Sequence, residues 1–94
     1  MEYLSFTWDE NKNLRNQKKH GVSFEEAKTV FYDDYALEYY DPDHSQEEDR
    51  FVLLGISKAT RLLVVCHCYR SQDGMIRVIS ARKATSNERQ AYEE

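Results

Sequence analysis

The chain has 94 residues, the length of one domain, and its 40% hydrophobic and 32% charged residues are typical of a folded protein rather than a disordered one. No apolar run approaches the roughly 20 residues that a membrane helix needs. The first residues also lack the basic and then apolar pattern of a secretory signal. We therefore expect a single domain over residues 1–94, located in the cytosol.

The net charge of −4 is unevenly distributed along the chain. Residues 32–49 contain eight acidic side chains and no lysine or arginine, whereas residues 50–83 contain seven basic side chains and one acidic side chain. This asymmetry predicts one acidic face and one electropositive face. The alternative is that the two segments neutralise each other across adjacent strands.

The N-terminal third predicts one strand followed by two helices. Residues 3–8 are rich in aromatic side chains, as strands often are. Asp9 is placed to cap a helix that Gly21 ends. Ser23 and Glu26 have the spacing of a capping box, and the apolar residues after them recur at helical spacing. A second helix is therefore expected here.

The rest of the chain predicts four strands and a C-terminal helix. The strand-forming segments are residues 36–40, 51–56, 62–70 and 75–82, with a turn at Asp73-Gly74 before the last of them. Thr85 and Glu88 have the spacing of a further capping box. The order β-α-α-β-β-β-β-α predicts an α+β fold. Its sheet is mostly antiparallel, with the helices on one face and the other face partly free.

Three arginines, Arg70, Arg77 and Arg82, lie on or at the ends of the last two strands. Guanidinium groups are always charged and match phosphate oxygens as hydrogen-bond acceptors. Side-chain alternation predicts that Arg77 and Arg82 point to opposite faces. Arg70 shares the face of Arg82 if the hairpin loop has three residues and not if it has four. A salt bridge to the acidic segment is the alternative for each of them.

His67 lies between Cys66 and Cys68 on a predicted strand. Imidazole exchanges protons near neutral pH, so His67 is a candidate general acid or base; a hydrogen-bonded core histidine is the alternative. A disulfide at this spacing would strain the backbone, and no second close pair of ligands lies nearby in the sequence to complete a metal site. A metal site to which His20 and His44 converge from elsewhere in the chain is the lesser alternative. We therefore expect buried thiols, with no metal and no cofactor.

The end of the first predicted helix is basic and includes Lys19 and His20. These side chains suit contact with phosphate groups, or they are simply placed favourably against the helix dipole. RNA cleavage without a metal needs a base, an acid and cations around the phosphate. The residues alone make this one option among several.

Several segments resemble the BrnT family of bacterial toxins. The matching segments are residues 6–9, Asn16 with residues 19–27, residues 30–33, residues 48–51 with Gly55, residues 65–70, and residues 77–84 with Glu88, Arg89 and Tyr92. The likeness spans nearly the whole chain in the right order. The Lys-His-Gly and Ile-Ser-Ala-Arg segments are its most specific parts.

The resemblance implies the toxin of a type II toxin–antitoxin pair with a RelE-like fold. Such a toxin is a metal-independent endoribonuclease that leaves 2′,3′-cyclic phosphate ends and inhibits translation. The resemblance also implies a BrnA-like antitoxin, whose ribbon-helix-helix part brings the complex to operator DNA. A non-catalytic module that docks an antitoxin or repressor through its basic face is the alternative.

Carried over by position, the polar signature of the family falls on Lys19, His20, His67, Arg70, Arg77 and Arg82. As catalytic residues, Arg70 and Arg82 are expected to stabilise the phosphorane, and His67 to transfer a proton. The other three residues are expected to bind RNA.

Overall fold

A computed structural model describes residues 4–70 and 74–94, which form a five-stranded sheet and three α-helices. In chain order the elements are β1 (Ser5–Thr7), α1 (Glu10–His20), α2 (Phe24–Lys28), β2 (Leu37–Tyr40), β3 (Phe51–Ile56), β4 (Leu62–Tyr69), β5 (Met75–Lys83) and α3 (Ser86–Glu93), with 3-10 helices at Thr29–Tyr32 and Pro42–His44. None of the helices in these ranges combines the length and the apolar character that crossing a membrane requires.

The strands lie in the order β1-β5-β4-β3-β2. Strands β2 to β5 form an antiparallel meander, and the short β1 runs parallel to β5 at one edge. The α+β class and the mostly antiparallel sheet that the sequence predicts are therefore confirmed. Because β1 pairs with Met75 to Arg77, no strand in the described part of the chain lies beside the second half of β5 on that side.

The helix boundaries follow the capping residues. Asp9 accepts a hydrogen bond from the Lys12 backbone and begins α1, and Gly21 ends it in the left-handed conformation at φ 69°. Ser23 caps α2 as expected. Glu26 does not complete the predicted capping box, because its carboxylate forms an ion pair with Arg61 instead.

Both faces of the sheet are covered over part of their area. The helix face, under α1 and α2, forms the main core, made of Val22, Phe24, Ala27, Val30, Leu53, Leu63, Val65, Val78 and Ala81. On the opposite face, which we call the open face, Leu54 and Val64 pack against Ala91 and Tyr92 of α3. This differs from the expectation that all the helices share one face. The apolar runs of β3 and β4 are continuous rather than alternating, so both of their faces need covering.

Asp33 connects α3 to the end of β3. Its Oδ2 accepts hydrogen bonds from the backbone of Ile56 at 2.7 Å and from the hydroxyl of Tyr92 at 2.6 Å. The bond to Asp33 raises the pKa of Tyr92 to about 12. Gly55 makes room for this contact, since a Cβ there would lie 2.8 Å from Val30 Cγ1 and 3.0 Å from Asp33 Oδ2.

Candidate active site

A β-bulge in β5 decides which way its side chains point. Cys66 pairs with Ser80, but the next residue of β4, His67, pairs with Val78. Ile79 is therefore an extra residue on β5. A bulge of this kind interrupts the alternation of side chains between the two faces of a sheet.

The bulge places Arg77 and Arg82 on the same face. They pair with Cys68 and Val64, which point to the same side of β4 because an even number of residues separates them. Arg70, two residues beyond Cys68, also belongs to this side. The prediction that Arg77 and Arg82 point to opposite faces is wrong, because simple alternation does not hold across a bulge.

The hairpin between β4 and β5 has the longer of the two predicted forms. The backbone N–H of Arg70 donates to Met75 O at 2.9 Å, so four residues of sequence separate the paired ends of the two strands. A four-residue loop alone would place Arg70 and Arg82 on opposite faces of the sheet. Because of the bulge, they lie on the same face. The turn predicted at Asp73-Gly74 lies partly outside the described residues.

The arginines share the open face but are spread along it. Arg82 pairs with Val64, and Arg70 lies six residues beyond Val64 along β4, a distance of about 20 Å. Arg70 Nη1 lies 3.2 Å from a carboxylate oxygen of Glu48. Arg82 binds both carboxylate oxygens of Glu88, at 2.8 and 2.9 Å. The structure therefore does not bring Arg70 and Arg82 to one phosphate.

His67 is fully buried on the helix face, away from the arginines. Its Nδ1 donates to the Val65 carbonyl oxygen at 3.0 Å, and its Nε2 lies 2.8 Å from a carboxylate oxygen of Glu38. Phe31 packs edge-on against the ring at 4.8 Å. Tyr69 donates to the same carboxylate, and burial together with Glu38 raises the pKa of Tyr69. Both ring nitrogens are engaged, and the sheet separates them from the open face.

The Cys-His-Cys run does not converge on a common point. Cys66 and Cys68 lie on the open face, whereas His67 lies on the helix face. Both cysteines are free, and burial raises the pKa of each thiol. These three side chains therefore cannot ligate one metal ion together.

A groove of about 330 Å³ lies on the open face, between β5 and the loop after β2. Its floor consists of Val52, Val64, Cys66, Ile79, Ser80 and Ala81, and its walls carry the ionisable side chains of His20, Asp41, His44, Arg50 and Arg82. The groove therefore combines imidazole and guanidinium groups in one concave site.

Helix α1 supplies one wall because it takes the edge position that β1 leaves open. The Asn16 amide donates to the Ala81 carbonyl oxygen at 2.8 Å and accepts from the Ala81 N–H at 3.2 Å, as a neighbouring strand would. The last turn of α1 then carries His20 over the edge of β5 into the groove. Lys19 and Arg15 line an adjoining hollow together with His20.

The loop after β2 supplies the opposite wall. His44 Nδ1 lies 2.9 Å from Asp41 Oδ2, so the carboxylate orients the imidazole. Arg50 directly precedes β3, and its Nη2 lies 3.8 Å from Glu48 Oε1. Its Nε is buried and has no hydrogen-bond partner within the described residues.

Glu88 holds Arg82 at the end of the groove. The same carboxylate accepts the Thr85 N–H at 2.8 Å and completes the predicted capping box of α3. The ion pair with Arg82 and the bond from Thr85 outweigh the effect of burial and lower the pKa of Glu88 to about 2. Glu88 therefore fixes the position of the guanidinium group through two bonds.

Replacing Glu88 by glutamine is expected to lower stability in a pH-dependent way. The pKa of about 2 lies below the ordinary 4.5, so the ionised carboxylate stabilises the fold above pH 4.5. That contribution disappears as the pH falls from there through about 2. Because the pair is partly exposed, the difference in unfolding free energy at neutral pH should be under about 1 kcal/mol.

Urea unfolding of both proteins from pH 7 to pH 3 measures this difference. The exposed Glu93→Gln on the same helix controls for the loss of a surface carboxylate. A difference between wild type and Glu88→Gln that stays constant down to pH 3 contradicts the prediction.

A sequence model described as the ribonuclease toxin BrnT of type II toxin–antitoxin systems matches residues 8–88 of the chain. The chain belongs to the BrnT family of ribonuclease toxins. Membership of a type II system implies an antitoxin partner and an RNA substrate.

The fold of this BrnT family chain is similar to that of a solved relative. The 1.1 Å crystal structure of the Brucella abortus ribonuclease toxin BrnT is 22% identical, with a TM-score of 0.65 over 89% of this chain and 100% of that chain. A comparison with curated proteins gives no significant match.

In this BrnT family chain, the groove contains some of the predicted site residues and not others. Arg82 and His20 line it, and Lys19 lies in the adjoining hollow. Arg70, Arg77 and His67 do not line the groove.

The sequence prediction missed Arg50, and with it His44 and Asp41. Arg50 directly follows the acidic run and precedes a strand, which is the signal that could have indicated it. The wall formed by His44 and Asp41 had no such signal, because a loop residue is positioned by its tertiary contacts.

Proposed function

We propose that this BrnT family chain cleaves phosphodiester bonds of RNA in the groove without a metal ion. The product ends would be a 2′,3′-cyclic phosphate and a 5′-hydroxyl. The observation that carries the proposal is one cavity lined by two imidazoles, of His20 and His44, and two guanidinium groups, of Arg50 and Arg82. Together they supply the base, the acid and the cations that this reaction needs.

The two histidines transfer the protons. One imidazole removes the proton of the 2′-hydroxyl while the 2′-oxygen attacks phosphorus. The bond from phosphorus to the 5′-oxygen then breaks, and the other imidazole protonates that oxygen. His20 and His44 belong to opposite walls, as a base and an acid on either side of the phosphate should. The Asp41 carboxylate at Nδ1 directs the Nε2 of His44 towards the substrate.

The two arginines stabilise the negative charge of the phosphorane. Glu88 accepts one N–H from each Nη atom of Arg82, and Nη1 also donates to the Lys83 carbonyl oxygen at 3.3 Å. The Nε–H and the second N–H of Nη2 are left for a phosphate oxygen. The Nε of Arg50 is buried, but 32% of the side chain is exposed and belongs to the wall of the groove. Its Nη groups would therefore donate to a phosphate oxygen. Glu88 acts as a positioning residue, since it holds Arg82 without touching the substrate.

The basic face of α1 provides a path for the RNA backbone beyond the groove. Lys12, Arg15 and Lys19 line the hollow that adjoins His20. Contacts of these side chains with phosphate groups would add affinity that falls as the salt concentration rises. Within the cytoplasm, cleavage of messenger RNA by this route would inhibit translation.

We further propose that the antitoxin is a BrnA-like ribbon-helix-helix protein and that the complex reaches operator DNA only through it. The likeness of the chain to the family over residues 8–88 supports this partner. The gene adjacent to that of the toxin should accordingly encode a small ribbon-helix-helix protein.

Incubation of the purified protein with RNA in EDTA tests the cleavage. We expect fragments whose 3′ ends carry 2′,3′-cyclic phosphate, and Arg82→Ala purified in the same way controls for contaminating nucleases. A non-catalytic docking module would give no fragments. Fragments that need Mg²⁺, or that carry 5′-phosphate ends, contradict the proposed chemistry.

A further inference from the structure

Tyr39 and Tyr40 are neighbours on the edge strand β2 and point to opposite faces. Tyr40 pairs with Phe51, packs against its ring at 5.6 Å, and donates a hydrogen bond to Asp49 at 3.1 Å. Tyr39 pairs with Val52, which lies on the groove floor. Tyr39 therefore belongs to the open face, beside the groove.

Tyr39 lies in the same row across the sheet as the groove floor. Tyr39 pairs with Val52, Val52 with Cys66, and Cys66 with Ser80. Neighbouring strands lie about 4.8 Å apart, so the backbone of Tyr39 is about 10 Å from that of Cys66 and about 14 Å from that of Ser80. An RNA strand that crosses the sheet along this row passes the groove and then meets Tyr39.

The fold itself makes little use of the Tyr39 ring. Its exposed fraction is 46%, close to the 52% of Tyr40. Within residues 4–70 and 74–94, however, Tyr39 forms neither an aromatic pair nor a side-chain hydrogen bond, whereas Tyr40 forms both. A large ring in this position is available to a ligand on the open face.

We propose that Tyr39 is a nucleobase-binding subsite, on which a base flanking the scissile phosphate stacks. The proposal rests on the proposed function, because it takes the groove as the position of that phosphate. Bases of single-stranded RNA stack on aromatic rings, whereas bases within a duplex are not available for this contact. Stacking tolerates every base, so the subsite selects unpaired RNA rather than a particular sequence.

Tyr39→Leu, Tyr39→Phe and Tyr40→Leu form a matched set of variants. The probe is an unstructured RNA octamer of mixed sequence, in 2′-O-methyl form for binding and in native form for cleavage. Tyr39→Leu should weaken binding by about 5- to 150-fold, the range measured for loss of one stacked base. Tyr39→Phe should bind like wild type, because stacking needs the ring and not the hydroxyl. Tyr40→Leu, on the other face, should also retain binding; thermal unfolding establishes that each variant folds.

Abasic substitutions then locate the stacked base. An abasic residue at one position of the octamer should weaken binding to wild type but have no further effect on Tyr39→Leu, because each change removes the same contact. Additive losses at every position overturn the subsite, as does equal weakening by Tyr39→Leu and Tyr40→Leu. If an abasic substitution and Tyr39→Leu are coupled at one position but the native octamer gives no fragments, the subsite stands and the proposed cleavage is contradicted.

Discussion

Replacing Arg82 by alanine is expected to lower the rate of RNA cleavage by about 10²- to 10³-fold, the usual effect of removing one preorganised donor from a developing oxyanion. Replacing Arg70 by alanine should leave the rate close to that of wild type. Both residues lie on the open face and both pair with a glutamate. They differ in position, since only Arg82 lines the groove and Arg70 lies about 20 Å further along the sheet.

Single-turnover cleavage of the same unstructured RNA octamer by both variants measures both rates. Arg82→Lys should recover little activity, because an ammonium group cannot bind both carboxylate oxygens of Glu88 in the same geometry and also donate an N–H to the phosphate. Circular dichroism and thermal unfolding check that the variants fold. Equal losses in Arg70→Ala and Arg82→Ala would contradict the assignment of catalysis to the groove.

The sequence predicted those parts of the fold that depend on local contacts. Asp9 and Gly21 bound α1, and Thr85 with Glu88 begins α3, because a cap is formed by residues within one turn of each other. The strands also begin and end close to the predicted residues, since continuous apolar runs and turn residues are visible in the chain. The meander of β3 to β5 is also predictable, because short turns connect consecutive strands. The parallel position of β1 beside β5 is not, because it depends on contacts between distant segments.

The distribution of side chains between the two faces was harder to predict, because it depends on a single backbone feature. The extra residue at Ile79 changes the face of every later side chain in β5, including Arg82. Nothing local distinguishes Ile79 from the other apolar residues of the strand. The bulge is defined by its pairing with β4, which only the folded sheet reveals.

The candidate site combines segments that the sequence keeps far apart. His20 reaches the groove because the Asn16 amide takes the place of a strand beside Ala81, 65 residues away. His44 enters from a loop within the acidic segment, which the charge pattern assigned to the other face, and Arg50 directly follows that segment. A charge count over a segment averages over side chains that point in different directions, and so it does not locate individual residues.

The three histidines of the chain should respond differently to substitution. Replacing His20 or His44 by alanine is expected to lower the cleavage rate by about 10²- to 10⁴-fold, because each loss removes a proton transfer from the reaction. The unfolding free energy should change little, since the His44 side chain is 67% exposed. His67→Leu should instead reduce the unfolding free energy by about 1–3 kcal/mol, because it removes the buried hydrogen bond to Val65 and the partly buried one to Glu38.

Urea unfolding and single-turnover cleavage on the same preparations separate these two effects. His67→Leu should cleave RNA at close to the wild-type rate at a temperature where it stays folded, because the sheet lies between His67 and the groove. Asp41→Asn should lower the rate less than His44→Ala does, since Asp41 orients the imidazole and transfers no proton itself. If His67→Leu folds but cannot cleave RNA while His20→Ala and His44→Ala remain active, His67 is the residue that transfers the proton. In that case RNA would have to reach the helix face, where Phe31 and Glu38 now enclose the ring.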